Sequence, residues 1–258
     1  MGILRLQHVG VAVRDFEAAT RALERIGLAS RDFRNNQGKG FQHDSRILLG
    51  NDCWLHLVHN WNPESRVRRF LDRHAPGLEH IALETDAIEA EVARLRERGV
   101  PLFEDRIFDA NDGYEAFVFP ENAIGFTVEL IQPHPQSWGY PEEARRRPVS
   151  EKLGVVKLRH LGVVVKDAQA AAERLKTLFG LRADEGLDSI LFANDCSLKL
   201  IEEPESPPGL EHIALATRTL REDAQYLSQR GVRLRTDGAS VVILPDEATG
   251  FAIELSGS

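Results

Sequence analysis

Histidine and glutamate residues recur in this sequence in a pattern that could form a metal site. In each half, two histidines are followed two positions later by glycine or alanine, and one glutamate lies near the end of the half. The first set is His8, His80 and Glu129, and the second set is His160, His212 and Glu254. Neutral imidazoles with one carboxylate suit a divalent first-row metal. The sequence therefore predicts metal binding by the first set, with the second set as a further candidate site.

The two sets belong to an internal repeat, in which five short motifs return in the same order. The pairs are 8–15 with 160–167, 51–53 with 194–196, 77–83 with 209–215, 98–100 with 230–232, and 125–130 with 250–255. Ordered matches of this kind indicate a duplication. We predict a first domain over 1–132, a linker over 133–154 that is rich in proline and charge, and a second domain over 155–258.

Each half itself contains two copies of a shorter pattern. Residues 8–15 and 80–86 both begin with histidine, alternate apolar and small residues, and reach an aspartate before an amphipathic helical segment. Short strand-like runs follow each helix. The sequence therefore predicts an α+β fold of four β-α-β-β-β modules, two in each half.

Strand alternation places the candidate ligands on one face of the sheet. Val9, Val11 and Val13 would pack against the helices, which directs His8 to the opposite face. The same alternation puts His80, Glu129 and, in the segment 53–58, His56 on the face away from the helices. Small residues beside the histidines leave room for an ion, so we predict His8, His56, His80 and Glu129 as the ligands.

The second half departs from this set at one position. Alignment of the two Asn-Asp-Cys motifs places Lys199 where the first half has His56. A cation there replaces a ligand, so the second candidate site contains only His160, His212 and Glu254.

Capping residues set the starts of two predicted helices in the first half. Asp15 is a good N-cap for the helix that ends at Gly27, and Thr85 or Asp86 is one for the helix that ends at Gly99.

Composition limits the classes of function. The net charge of −8 disfavours a nucleic-acid partner, because phosphate binding needs a basic face. The two cysteines, Cys53 and Cys196, occupy equivalent places and are expected to be buried and unpaired. No apolar run is long enough to cross a membrane, and no cleavable signal stands at the start, so we expect a cytoplasmic protein.

With these motifs, the chain resembles the vicinal oxygen chelate superfamily of glyoxalases, extradiol dioxygenases and bleomycin resistance proteins. The resemblance covers about residues 3–132 and 155–257. It implies that pairs of modules form two curved mixed sheets, each around a metal-site cleft. The ligands would come from the first and last strands of each module, where His8, His56, His80 and Glu129 fall. The ion would be Fe, Co, Ni, Mn or Zn.

Within that superfamily, the first half most resembles methylmalonyl-CoA epimerase in segments 48–58, 64–100 and 125–130. That epimerase has a glutamate base before the segment that begins at Leu48, where this sequence has no glutamate. Asp44 or His43 could replace it, and the sequence alone does not fix which residue faces the site. Glu129 is a further candidate for the catalytic base, if it leaves the ion.

The resemblance implies an enzyme that acts on a small oxygenated molecule. Four protein ligands on an octahedral ion leave two adjacent positions, which suits an isomerase, epimerase or lyase acting through a metal-chelated enediolate-like intermediate. Three ligands leave room for O2 as well, so a non-haem Fe(II) extradiol-type dioxygenase is the alternative. A second alternative is a small-molecule binding or resistance protein without catalysis. With four modules in one chain, we expect a monomer or a homodimer.

Overall fold

The computed structural model describes residues 2–28, 42–110, 113–134, 148–184, 186 and 188–258 of the chain. Within these residues it contains five α-helices and two β-sheets of seven and eight strands. Both sheets contain parallel and antiparallel pairs of strands. The predicted α+β class with two mixed sheets is confirmed.

The first sheet is built from strands β1 to β7, and three helices join them. The strands are β1 (Ile3–Ala12), β2 (Gln42–Gly50), β3 (Cys53–Asn60), β4 (Gly77–Thr85), β5 (Phe108–Asp109), β6 (Gly113–Val118) and β7 (Thr127–Pro133). The helices are α1 (Phe16–Arg25), α2 (Arg66–Arg73) and α3 (Ile88–Glu97). The order across the sheet is β2-β3-β1-β4-β7-β6-β5, so β1, β4 and β7 are neighbours at its centre.

The second sheet repeats this plan with two helices. Its strands are β8 (Val155–Val165), β9 (Arg182–Ala183), β10 (Ser189–Leu191), β11 (Ser197–Glu202), β12 (Gly209–Thr217), β13 (Leu234–Asp237), β14 (Ser240–Ile243) and β15 (Ala252–Gly257). The helices are α4 (Ala168–Phe179) and α5 (Leu220–Gln229). The order is β13-β14-β15-β12-β8-β11-β10-β9, which places β8, β12 and β15 together.

The predicted module pattern is present along the chain. The modules that begin at β4, β8 and β12 each contain one strand, one helix and three further strands. In the first module, β2 and β3 follow α1, and any strand within residues 29–41 lies outside the described residues. Helix α2 is an addition that comes after the first module.

The helices begin and end largely where their sequences predict. The Asp15 carboxylate accepts a hydrogen bond from the Ala18 amide at 2.9 Å, and Gly27 adopts φ +81° just after α1. Helix α3 differs at its start, because its N-cap is Ala87, which makes no side-chain cap. Instead the Ile88 amide donates to Gln132 Oε1 at 2.9 Å. The predicted caps Thr85 and Asp86 are therefore wrong for α3.

One part of the sheet face opposite α1 is covered rather than open. Ala12 and Val58 alternate with the helix-facing residues of β1 and β3, and they pack in a buried cluster with Val67 and Leu71 of α2. Helix α2 therefore covers that part of the face. We call the face that carries His8, His56, His80 and Glu129 the ligand face.

Backbone proximity groups the chain into two compact units, and each unit contains segments from both sequence halves. One unit comprises Met1–His8, His80–Arg146 and His160–Leu210. The other comprises Val9–Glu79, Arg147–Arg159 and Glu211–Ser258. The domain division at 133–154 stays a prediction, and residues 135–147 of that linker lie outside the described residues.

None of the helices in the described part of the chain has the length and apolar character needed to cross a membrane. Cys53 and Cys196 are both buried, and neither forms a disulfide among the described residues.

Candidate metal centre

Three neighbouring strands each contribute one predicted ligand at the centre of the first sheet. His8 lies on β1, His80 on β4 and Glu129 on β7. Strands β4 and β7 run parallel, and Ala82 is the register partner of Glu129. The small Ala82 side chain stands beside Glu129, so the space predicted next to His80 is occupied by the Glu129 carboxylate. All three ligand residues are at most 3% exposed.

The ligand atoms of these residues converge at distances that fit a single ion. His8 Nε2 lies 3.1 Å from His80 Nε2, and Glu129 Oε2 lies 3.6 Å from His8 Nε2 and 3.2 Å from His80 Nε2. Metal–ligand bonds of about 2.1 Å place neighbouring ligands about 3.0 Å apart on an octahedral ion and about 3.4 Å apart on a tetrahedral one. The donor set and its spacing therefore fit a divalent first-row metal. We call these three residues the triad.

The charge of Glu129 is favoured by its neighbours. Burial alone would raise the pKa of this carboxyl, but the charges and hydrogen bonds of His8 and His80 outweigh burial and hold the pKa of Glu129 well below its usual range. The carboxylate is therefore ionised, as a metal ligand must be.

His56 lies on β3, next to β1 in the same sheet. The ligand nitrogens of His8, His56 and His80 all lie within 4.8 Å of one another. Asp44 Oδ2 lies 3.5 Å from His56 Nε2, and both side chains are less than one-fifth exposed. The register of β2 against β3 pairs Asp44 with Val58 and Arg46 with His56, so Asp44 is on the ligand face. The side chain of His43 is outside the described residues.

Gln7 is a residue at this site that sequence reasoning missed. Its Oε1 atom lies 3.1 Å from His8 Nδ1, and the side chain is 3% exposed. The sequence shows an amide directly before a candidate ligand, but its burial and its hydrogen bond to Glu84 come from the structure.

The second set also converges, in a more accessible setting. The ligand atoms of His160, His212 and Glu254 lie within 4.8 Å of one another, and each residue is partly exposed. His212 Nε2 lies 3.7 Å from Glu254 Oε2, while His212 Nδ1 lies 2.9 Å from Glu211 Oε2. The hydrogen bond from His212 lowers the pKa of the Glu211 carboxyl.

Lys199 and several polar residues of the first half lie away from the triad. Lys199 is exposed on β11, where its register partner is Gly162 of β8. His59 Nδ1 lies 2.9 Å from the Val13 carbonyl oxygen. Arg66 forms an ion pair with the buried Glu79, whereas Arg68 and Arg69 are exposed.

Sequence comparison identifies a matching family and a curated relative. Residues 6–179, more than half of the chain, match the family described as glyoxalase-like domain. The uncharacterized protein YqjC of Bacillus subtilis (strain 168) is 29% identical over 133 residues. Those residues are 50% of this chain and 92% of that protein.

A solved structure shares the fold over nearly the whole chain at low sequence identity. A mutant of 4-hydroxymandelate synthase from Streptomyces coelicolor superposes with a TM-score of 0.68 at 15% identity, covering 99% of this chain and 92% of that chain. Methylmalonyl-CoA epimerase from Mycobacterium tuberculosis is 24% identical, covers 52% of this chain and 91% of its own, and has a TM-score of 0.46.

Proposed function

This chain belongs to the glyoxalase-like domain family, within the vicinal oxygen chelate superfamily, and on that premise we propose that it is a divalent-metal-dependent isomerase, epimerase or lyase. Its reaction would move a proton beside a carbonyl group of a small oxygenated substrate. The observation that carries the proposal is the triad of His8, His80 and Glu129, buried and spaced for one ion.

The metal would be held by the triad, with His56 as the fourth ligand. A divalent cation there supplies a Lewis acid for neighbouring oxygens of the substrate. Gly10, on the ligand face beside His8, adds no side chain there, whereas the small Ala82 beside His80 makes room for the Glu129 carboxylate. The burial of His8, His80 and Glu129 keeps bulk water away from the ion and strengthens each charge interaction there.

Asp44 is the proposed proton carrier. Its carboxylate is on the ligand face, 3.5 Å from His56 Nε2, and is partly accessible. It would take the proton when the substrate C–H bond breaks and its electron pair moves towards the carbonyl oxygen. Asp44 would then return the proton to carbon. Glu129 would act as the base only by leaving the ion, and its position between two imidazoles favours the ligand role.

A dioxygenase is the second candidate, and the ligand count favours it if His56 does not bind the ion. The triad without His56 is a two-histidine, one-carboxylate set, the ligand set of non-haem Fe(II) oxygenases. The second set of His160, His212 and Glu254 has the same composition. A protein that binds a small molecule without catalysis is less well supported, because such a role needs no metal ligands.

The first experiment is to measure the metal content per chain in the wild type, His80→Ala and His212→Ala by elemental analysis. We expect about one ion in the wild type that is lost in His80→Ala and kept in His212→Ala. An ion lost only in His212→Ala would move the site to the second half. A wild type that stays empty after incubation with Fe(II), Co, Ni, Mn and Zn would refute a metal-dependent function.

Two assays on the loaded protein separate the candidate reactions. Incorporation of solvent deuterium next to the carbonyl of 2-hydroxyketones, 2-oxoacids or 2-substituted acyl thioesters supports proton transfer. Consumption of O2 by the Fe(II)-loaded protein with catechols or aromatic 2-oxoacids, without such exchange, supports the dioxygenase.

A further inference from the structure

A continuous chain of polar contacts leads from the sheet surface to the first ligand of the triad. Arg5 Nη2 lies 2.7 Å from Glu84 Oε2, and Arg5 Nε donates to the same oxygen at 3.0 Å. Gln7 Nε2 donates to Glu84 Oε2 at 3.2 Å. Gln7 Oε1 lies 3.1 Å from His8 Nδ1. The partly buried Glu84 side chain, only 16% exposed, therefore connects Arg5 with the buried amide of Gln7.

The chemistry of these groups fixes the direction of each hydrogen bond. Glu84 Oε2 accepts from Arg5 Nε and faces the Gln7 side chain as an acceptor, so the NH2 group of Gln7 must face it. The carbonyl oxygen of that amide then faces His8, and an amide oxygen also only accepts. A neutral His8 must therefore carry its proton on Nδ1, which leaves a lone pair on Nε2. Nε2 is the His8 atom that faces the rest of the triad, 3.1 Å from His80 Nε2 and 3.6 Å from Glu129 Oε2.

The second half provides a natural comparison, because its equivalent residues differ. Arg159 stands at the position of Gln7, and Ala216 at the position of Glu84. Arg159 Nη2 donates to the Gly257 carbonyl oxygen at 2.7 Å. An arginine side chain has no acceptor atom for His160. The contacts that direct the ring of His8 are therefore specific to the first half, although the histidines themselves are repeated.

We propose that Gln7 is a positioning residue, held by Glu84 and Arg5, which fixes His8 as the Nδ1–H tautomer so that Nε2 binds the metal. The role of this tautomer in metal binding rests on the proposed function, but the tautomer itself can be measured in the metal-free protein. Outer-shell partners of this kind typically change metal affinity by about 10- to 100-fold.

The test is the tautomer of His8 in chelator-treated, metal-free protein, read from long-range ¹H–¹⁵N correlations of the imidazole ring at mildly alkaline pH. We expect Nδ1–H alone in the wild type. In Gln7→Leu the acceptor is lost, and in Glu84→Gln the Gln7 amide is free to reverse. A detectable Nε2–H fraction is therefore expected in both variants. Arg159→Leu is the matched control from the second half and should leave His8 unchanged.

The outcomes distinguish this inference from the proposed function. A wild type whose neutral His8 carries its proton on Nε2, or variants whose neutral His8 keeps its proton on Nδ1 alone, would overturn the role of Gln7 whatever the protein catalyses. If Gln7→Leu does not fold, Glu84→Gln decides the question alone. If Gln7→Leu folds, titration with Co(II) should show a metal affinity about 10- to 100-fold lower in Gln7→Leu than in Arg159→Leu. Equal affinities would also overturn it, whereas an empty wild type with the expected tautomers would refute only the metal-dependent function.

Discussion

His8, His80 and Glu129 are separated by many residues in the sequence, yet each lies at the centre of its strand and faces the same side of one sheet. Because β1, β4 and β7 are adjacent, strand spacing brings their side chains within reach of one ion. Asp44 reaches the ligand face from the edge of the sheet, on β2. In the proposed mechanism, this arrangement would assign metal binding and proton transfer to different residues.

We therefore expect Asp44→Asn to retain the ion but lose proton transfer. An amide cannot take up the substrate proton, so the rate of solvent deuterium exchange should fall by about 10²- to 10⁴-fold. Elemental analysis should still find the wild-type metal content, because Asp44 is not a member of the triad. Asp72→Asn is the control, since Asp72 is an exposed carboxylate on α2 that pairs with Arg68. Full exchange activity in Asp44→Asn would exclude Asp44 as the base.

Strand alternation was enough to predict from the sequence which residues share the ligand face. It put His8 and Glu129 on one face, opposite Val9 and Val11, and in the structure Glu129 Oε2 lies 3.6 Å from His8 Nε2. Alternation could not choose between His43 and Asp44, because a one-residue change of register reverses the face of every residue in the strand. It also could not identify Gln7, whose role depends on a hydrogen bond to Glu84, 77 residues away.

At the scale of elements, two glycines that are repeated outside the candidate metal centre are required by close backbone packing. Gly250 and Gly125 precede the strands that carry the two glutamates, and both have positive φ. A Cβ on Gly250 would overlap the Pro76 carbonyl oxygen, and a Cβ on Gly125 would lie 2.6 Å from Pro208 Cβ. Each glycine therefore allows the start of a central strand from the other half, β4 or β12, to approach closely.

The variant Gly250→Ala should consequently be much less stable than a control glycine variant. Gly231 has φ +68° with nothing within 4 Å of its Cβ position, so Gly231→Ala measures the conformational cost alone, about 1–2 kcal/mol. Overlap with the Pro76 backbone adds a packing penalty of about 1–3 kcal/mol in Gly250→Ala. Urea unfolding should show this difference as a lower midpoint at an unchanged slope. Equal midpoints would mean that the close approach is not required.

Local signals in the sequence predicted most elements but not their contacts with distant parts of the chain. The cap at Asp15 and the stop at Gly27 are local, so the bounds of α1 follow from the sequence. The start of α3 depends on Gln132, which is 44 residues away from Ile88, and no local pattern records it. The packing of α2 over Ala12 and Val58 is likewise a contact that no local pattern records.

At the scale of the whole molecule, the repeated motifs that do not bind metal join the two halves. Asn51 bonds the backbone of Leu158 on β8, donating to its carbonyl at 3.0 Å and accepting from its amide at 3.2 Å. Asn194, in the equivalent motif, donates to the Leu6 carbonyl on β1 at 2.9 Å. Leu158 lies two residues before His160, and Leu6 lies two residues before His8. Each half therefore helps to position the strand that carries the first histidine of the other half.

Because both sides of these contacts are repeated, the first half carries the residues needed to pair with a second copy of itself. Asn51 could bond Leu6 of another copy, and Gly125 could receive Pro76, as Asn194 and Gly250 do in the full chain. Alone and monomeric, residues 1–134 would expose these backbone groups and the apolar surface around them. We therefore expect this fragment to form a homodimer and to unfold cooperatively only in that state.

Light scattering coupled to size exclusion gives the mass of the fragment directly. Gly125→Ala should dissociate the dimer, because a Cβ there would overlap the incoming proline. Gly99→Ala is the matched control, since Gly99 also has positive φ but nothing within 4 Å of its Cβ position, and it should leave the mass unchanged. A fragment that is monomeric and unfolds cooperatively would contradict the prediction, since the first half would then be stable without the contacts that the second half provides.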